Sequence, residues 1–266
     1  MKIVPETTEL VFFLGGHDLE MITIRDLLIA TSGVRFHDKQ LAWGARASDY
    51  RSEIDEALAN GKIPVLIELE VDVALPEAVI IDHHGQRAGS EAPTSLHQVF
   101  ELLGLPPSAW TRWHTLVAAN DRGYIKGLEA EGATREEIVE VRRADRQAQG
   151  ITEAEEAAAE ACLASLEERL GGKLSLVHLT HARTATITDR LEAALGGPGF
   201  RNLLIISPES LNFYGSGEVI RALVEAFPGG WYGGALPERG FWGIDYGSPE
   251  VTSFIERQLR ALRNVG

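Results

Sequence analysis

Cysteine is almost missing from this chain. Cys162 is the only one in 266 residues, so no internal disulfide can form and no cysteine-rich metal cage can be built. It falls in an alanine- and glutamate-rich stretch and reads as a buried structural thiol. Long apolar runs are also lacking. No stretch of about 18 apolar residues is present, which excludes a membrane-spanning helix on this reading. The opening Met1-Lys2-Ile3-Val4-Pro5 lacks the form of a signal peptide, so a cytoplasmic protein with no membrane partner is expected. Basic residues are scarce too: 25 Lys and Arg stand against 39 Asp and Glu, a formal charge of −14. A surface this acidic repels long polyanions, so no long duplex nucleic acid is expected as a partner. A small phosphorylated substrate or a short oligonucleotide remains compatible, because a cation and a few local arginines suffice to hold it. What remains is ordinary for a globular protein with a proper core, at 44% apolar and 24% charged residues, long enough for one large domain or two smaller ones. A homodimer is left open.

The richest stretch is Ala78-Val79-Ile80-Ile81-Asp82-His83-His84-Gly85. A short apolar run bounded by turn residues reads as a strand buried on both faces, as in a parallel sheet. Asp82, His83 and His84 then sit where the strand leaves the sheet, the edge at which open α/β sheets bind ligands. All three are good ligands for a transition metal. A turn at Gly85 is needed before more than one can face the same ion. The bland alternative makes Asp82 a turn cap and leaves the histidines in solvent.

Other acids fall in similar places. Leu10-Val11-Phe12-Phe13-Leu14 reads as a first buried strand, ended by Gly15-Gly16. His17, Asp18 and Glu20 follow on a strand-to-helix turn, since Met21, Ile24, Leu27 and Leu28 have helical spacing. Asp18 or Glu20 could equally be the helix N-cap or a first-turn acid. Residues 34–37 read as a short strand and 48–60 as a helix. Ile63-Pro64-Val65-Leu66-Ile67 runs into Glu68, with Glu70 and Asp72 just beyond. A buried Glu68 needs a cation or a hydrogen-bond partner; the alternative is a strand-end acid in water. Thr94-Ser95 opens a helix, and a second, over 109–119, leads to Asn120-Asp121-Arg122-Gly123. A helix C-terminus is a slightly unfavourable place for a negative charge.

Thr134-x-x-Glu137 and Thr152-x-x-Glu155 have the capping-box form and announce two further helices. Arg142, Arg143 and Arg146, with Asp145 among them, read as a solvated helix face with local ion pairs, or else a phosphate-facing patch. The helix over 153–170 is expected to bridge two domains. Beyond Gly171-Gly172 the pattern alternates again, with strands over 174–179 and 203–207, helices near 188–195 and 219–227, and a final helix opened by Ser248-Pro249. Pro228-Gly229-Gly230-Trp231-Tyr232-Gly233-Gly234 is a glycine-rich loop of the kind that lets backbone N–H groups approach a phosphate. Such loops are often only turns.

The Asp82-His83-His84 triplet, taken with the order of these elements over residues 8–245, resembles the DHH superfamily of metal-dependent phosphoesterases. That superfamily includes single-strand exonucleases, oligoribonucleases, cyclic-dinucleotide phosphodiesterases and family II inorganic pyrophosphatases. The resemblance implies an α/β fold: a mostly parallel, helix-flanked sheet in a catalytic domain (1–133), a helical connector (134–171) and a smaller α/β DHH-associated substrate-binding domain (172–266). It implies two divalent cations, manganese first and magnesium second, held by His17, Asp18, Glu20, Glu68, Asp82, His84 and Asp121. His83, with Asp82, is then the catalytic group that polarises a phosphate oxygen or assists proton transfer. Arg122, Ser216, Gly229, Gly230, Trp231, Gly233 and Gly234 are the expected substrate contacts. The implied activity is hydrolysis of a phosphodiester or phosphomonoester in a nucleotide or short oligonucleotide. Departures are visible: the second acid of the first motif is Glu20, His17 abuts Asp18 directly, and Trp231-Tyr232 stands where a histidine is usual. They keep a second reading in view, a catalytically impaired nucleotide-binding or regulatory protein on the same scaffold. A helical HD-type phosphohydrolase, suggested by His17-Asp18, would need its ligands on helices.

Overall fold

The computed structural model describes residues 9–42, 44–83, 93–234 and 236–262. They divide into two compact units, residues 1–149 and 150–266. The first begins with β1 (Leu10–Leu14), whose five residues are all buried. Then come α1 (Leu19–Ala30), β2 (Arg35–Asp38), α2 (Arg51–Ala59), β3 (Ile63–Ile67), β4 (Val79–Ile81), α3 (Ser95–Leu102), α4 (Arg112–Ala130) and α5 (Arg135–Ala148). The sheet order is β2-β1-β3-β4, with every pairing parallel. This is the helix-flanked parallel sheet that the apolar runs foretold. Helices packed on the faces bury the central strands β1 and β3, which therefore need no polar alternation, while Val79 and Ile80 of β4, expected to be buried on both faces, are only half-buried.

Register decides where the polar residues land. Leu14 pairs with Ile67, and Ile67 with Ile81. Three strands therefore end level, and the residues that follow each of them emerge at one edge. The sheet beneath is firmly set. Phe13, Leu66 and Val11 pack against Tyr50, Ile54, Ala47 and Ala57, and fully burying one such side chain stabilises by about 1.5–3 kcal/mol. Tyr50 also donates its hydroxyl to the Leu14 carbonyl at 2.7 Å, tying down the end of β1.

The helix expected at 109–119 starts at Arg112 behind an N-cap at Thr111 and runs on to Ala130, with a break at Gly123 and Tyr124. The parallel sheet removes the all-helical HD reading. α5 opens with the expected Thr134–Glu137 capping box and packs against α1 and α4.

The second unit opens with α6 (Glu153–Leu163), capped by Thr152 and Glu155. The helix stops short of residue 170 because the chain turns at 164–166 and enters β5 (Glu167–Arg169). β6 (Leu174–His178), α7 (Ala185–Leu191), β7 (Leu203–Ile206), β8 (Ser210–Ser216), α8 (Gly217–Ala226), β9 (Trp231–Gly233), β10 (Arg239–Asp245) and α9 (Pro249–Ala261) follow. Their sheet has the order β5-β6-β7-β8-β10-β9. Only β6 and β7 pair in parallel; the other neighbours are antiparallel. Trp242, Phe213, Leu204, Leu223 and Ile255 form its core. Among the described residues, no helix is long and apolar enough to cross a membrane.

Candidate metal centre

At the exits of β1, β3 and β4 the backbone is crowded. A Cβ on Gly15 would sit 2.3 Å from the Glu68 carbonyl oxygen, so glycine is what lets the two exits pass. Glu68 itself has φ +51°, a left-handed conformation that costs a non-glycine residue about 1–3 kcal/mol. Its N–H still reaches the Ile81 carbonyl at 2.9 Å. The ladder thus holds one residue past the strand while the side chain, 6% exposed, turns inward.

Asp18 caps α1, accepting a hydrogen bond from the Met21 N–H at 2.9 Å. Glu20, in the first turn, is buried. One of its oxygens accepts from the Leu96 N–H at 3.0 Å, in the first turn of α3, where an unpaired N–H and the helix dipole favour an anion. Its other oxygen lies 3.5 Å from Nε2 of His83. The same nitrogen is 3.5 Å from a Glu68 oxygen and in close contact with Oδ2 of Asp121. Asp121 is delivered by α4, just before its break at Gly123 and Tyr124.

Carboxylates gathered in one pocket repel one another, and the proton affinities of Asp18 and Glu68 are raised. Burial pushes the Asp18 carboxyl up to about 8, with the charge of Asp121 adding to the rise and the Met21 hydrogen bond opposing it. Burial also raises Glu68 well above the carboxylate range, reinforced by Glu20, Asp18 and Asp121. For His83, burial alone would depress the imidazole; its hydrogen bonds to Asp121 and Glu20 outweigh that and lift it to about 11. Protons thus supply the positive charge that the pocket needs.

The donor set also suits a divalent cation. Ligand atoms of Glu20, His83 and Asp121 all lie within 4.8 Å of one another. Oε2 of Glu20 and Oδ2 of Asp121 are buried, face the His83 imidazole and make no well-formed hydrogen bond, and buried carboxylate oxygens need a positive partner, imidazolium or metal ion. Carboxylate oxygens with one imidazole suit manganese or magnesium rather than a soft thiolate-seeking ion.

No family model matches the chain, and no curated protein matches it by sequence. Solved structures are similar. RecJ from Thermus thermophilus, in complex with Mn2+, aligns over 96% of this chain at 15% identity with a TM-score of 0.52; the chain spans 52% of that RecJ chain. An exopolyphosphatase-related protein from Bacteroides fragilis aligns over 98% of both chains at 12% identity with a TM-score of 0.50. The fold is of the DHH type.

Within this DHH-type fold, the expected residues sort unevenly. Glu20, Glu68 and Asp121, drawn from α1, the end of β3 and α4, come together around His83, and the charge of Asp18, the cap of α1, is felt by Glu68 in that cluster. Sequence left Glu68, Glu70 and Asp72 as alternatives. Glu70 is exposed and paired with Arg46 at 3.1 Å, and Asp72 is exposed and bonded to Ser48, so Glu68 alone of the three reaches the cluster. His83, expected to polarise a phosphate, also offers its Nε2 to the group with Glu20 and Asp121 that could hold a metal ion. Asp82 does not belong to the group of three; its backbone carbonyl accepts from Gln98 at 3.3 Å. His84 lies outside the described residues. His17 is half-buried, with Nε2 lacking a hydrogen-bond partner. Arg122 is exposed, and its charge, after burial, lowers the His97 imidazole.

In the second unit, Ser216 ends β8 and donates its N–H to Asn202 at 3.0 Å. The glycine-rich loop is partly strand β9, and packing accounts for three of its four glycines, Gly234 included, where a Cβ would meet the Gly240 Cα at 2.8 Å. A Cβ on Gly230 would meet Trp242 at 2.6 Å, and one on Gly233 would meet the Phe241 ring at 2.9 Å. Trp231 lies over Gly243 in the same way. Gly229 faces open space, and Tyr232 is exposed. One feature of the first unit went unread in the sequence: Arg142 and Asp145 are buried, at 4% and 5% exposure, and not on a solvated face. Sequence held a hint, since both fall on the apolar face marked by Ile138 and Val141.

Proposed function

We infer that the protein is a metal-dependent phosphoesterase that hydrolyses a phosphodiester or phosphomonoester bond in a nucleotide or short oligonucleotide. One observation carries this reading: Glu20, Glu68 and Asp121 converge on His83 in a buried pocket at the exits of parallel strands. Glu20, Glu68, His83 and Asp121 would hold a divalent cation, manganese first, as in the RecJ structure, with Asp18 and His17 beside it. Bound there, the cation would polarise a phosphate oxygen and sharpen a water for attack, and a second ion would share that work. The protein's own groups do the rest. α3 orients Glu20 through the Leu96 N–H, burial keeps the side chains of Glu20 and Glu68 largely out of water, and Asp82 and His84 flank His83 in sequence. Exposed Arg122 would meet a phosphate. In the second unit, Ser216, Gly229, Gly230, Trp231, Gly233 and Gly234 are the substrate-binding surface of this reading, with open Gly229 and exposed Tyr232 its most accessible parts.

A hydrolysis screen tests it, covering mononucleotides, cyclic and linear dinucleotides, short single-stranded oligonucleotides and pyrophosphate, each with Mn2+ or Mg2+. Cleavage of at least one is expected, and Asp121→Asn should lower it by about 100-fold or more. No turnover of any substrate with either ion, or an unaffected Asp121→Asn protein, would sink the proposal.

A further inference from the structure

We propose that the buried Arg142–Asp145 pair on α5 is a positioning element for the metal centre, setting two of its ligand-bearing segments at once. The inference rests on the metal-centre reading and adds residues to it. Asp145 Oδ1 accepts a hydrogen bond from the Leu19 N–H at 3.3 Å. Leu19 lies between Asp18 and Glu20, and its N–H is one of those at the start of α1 that have no partner within the helix. Asp145 Oδ2 accepts from Arg142 at 2.7 Å and from Gln149 at 3.0 Å. The same Arg142 nitrogen donates to Oδ1 of Asn120 at 2.8 Å, and Asn120 immediately precedes Asp121. The guanidinium also lies over the Tyr124 ring, 4.4 Å from its centre, and Tyr124 is where α4 breaks. One side-chain pair therefore grips the backbone beside Asp18 and Glu20 and the residue beside Asp121.

Stability is a poor account of such a pair. A buried ion pair often matches or falls below a well-packed apolar pair in stability, and its best-attested use is to fix one arrangement among several. Groups behind a metal's ligands act the same way, and losing one typically weakens binding by about 10–100-fold. The two accounts therefore part company in a variant where both charges are replaced together.

The experiment titrates Mn2+ into the purified wild-type chain and Arg142→Met/Asp145→Leu, following free Mn2+ by electron paramagnetic resonance, with thermal unfolding of each metal-free protein. The expected result is a folded double variant whose Kd for Mn2+ is weaker by about 10–100-fold. A folded double variant that binds Mn2+ like wild type overturns the inference while leaving the metal centre standing. Should the double variant fail to fold, Asn120→Leu removes only the link toward Asp121; several-fold weaker Mn2+ binding supports the brace, and unchanged binding overturns it. Wild-type protein that takes up no Mn2+ overturns the metal-centre reading, and the brace with it.

Discussion

The two units carry their suggestive residues in opposite ways. In the first, acids and a histidine gather in a pocket where burial, with neighbouring negative charges adding to it, raises the proton affinity of Asp18 and Glu68. Nothing in folding asks for that arrangement. In the second, glycines and aromatics that look like a phosphate loop lie against each other: Gly230 under Trp242, Gly233 under Phe241 and Gly243 under Trp231. Folding alone explains most of them. An unusual residue thus points to chemistry when its neighbours leave it worse off, and to packing when they fit it closely.

Glu68→Ala should separate the units most sharply. Mn2+ affinity should fall by about 100-fold or more, measured by calorimetric titration, because the side chain sits inside the cluster. Equal affinity in the variant would mean that the pocket is only an unhappy core. Next in size is the response to pH. Asp18, lifted to about 8, and His83, lifted to about 11, carry protons near neutrality that a cation must displace, and the upward shift of Glu68 acts in the same direction. Apparent Mn2+ affinity should therefore climb as pH rises from 6 to 8, by about tenfold per unit for each proton released. The metal-free protein should show the reverse trend in stability. A folded state that holds protons longer than the unfolded chain loses stability as pH rises from the ordinary carboxylate range towards 8. A flat affinity profile over those two units would refute the proton competition.

In the other unit, Gly230→Ala should cost about 1–3 kcal/mol of stability in chemical denaturation through overpacking against Trp242, with Mn2+ affinity unchanged. Loss of Mn2+ binding there would blur the division drawn between the units. The smallest effect belongs to Glu70→Gln, two residues from Glu68 but exposed beside Arg46. Stability should move by about 0.5 kcal/mol or less and Mn2+ binding not at all.

Much of the first unit could be read directly. β1 and β3 are apolar runs buried along nearly their whole length, as parallel strands between helices are, whereas β4, expected to be buried on both faces, ends the sheet with Val79 and Ile80 only half-buried. Glycines and polar residues marked their exits, so the acids were found as candidates. Two things stayed hidden. The choice among Glu68, Glu70 and Asp72 depended on a backbone turn with positive φ, which no side-chain pattern encodes. The burial of Arg142 and Asp145 depended on a tertiary partner, because charged residues at helical spacing look alike whether they face water or Leu19. In the second unit, β8 and β10 escaped because Asn, Gly and Asp interrupt their apolar residues. Their pairing across the sheet restores an order that neither segment shows alone.

The backbone at Glu68 has a consequence of its own. Its left-handed turn is one that glycine would adopt without protest, and glycine would also take an ill-placed acid out of the interior. Glu68→Gly should thus make a sturdier chain and an emptier pocket, the mark of a position kept for work and against comfort.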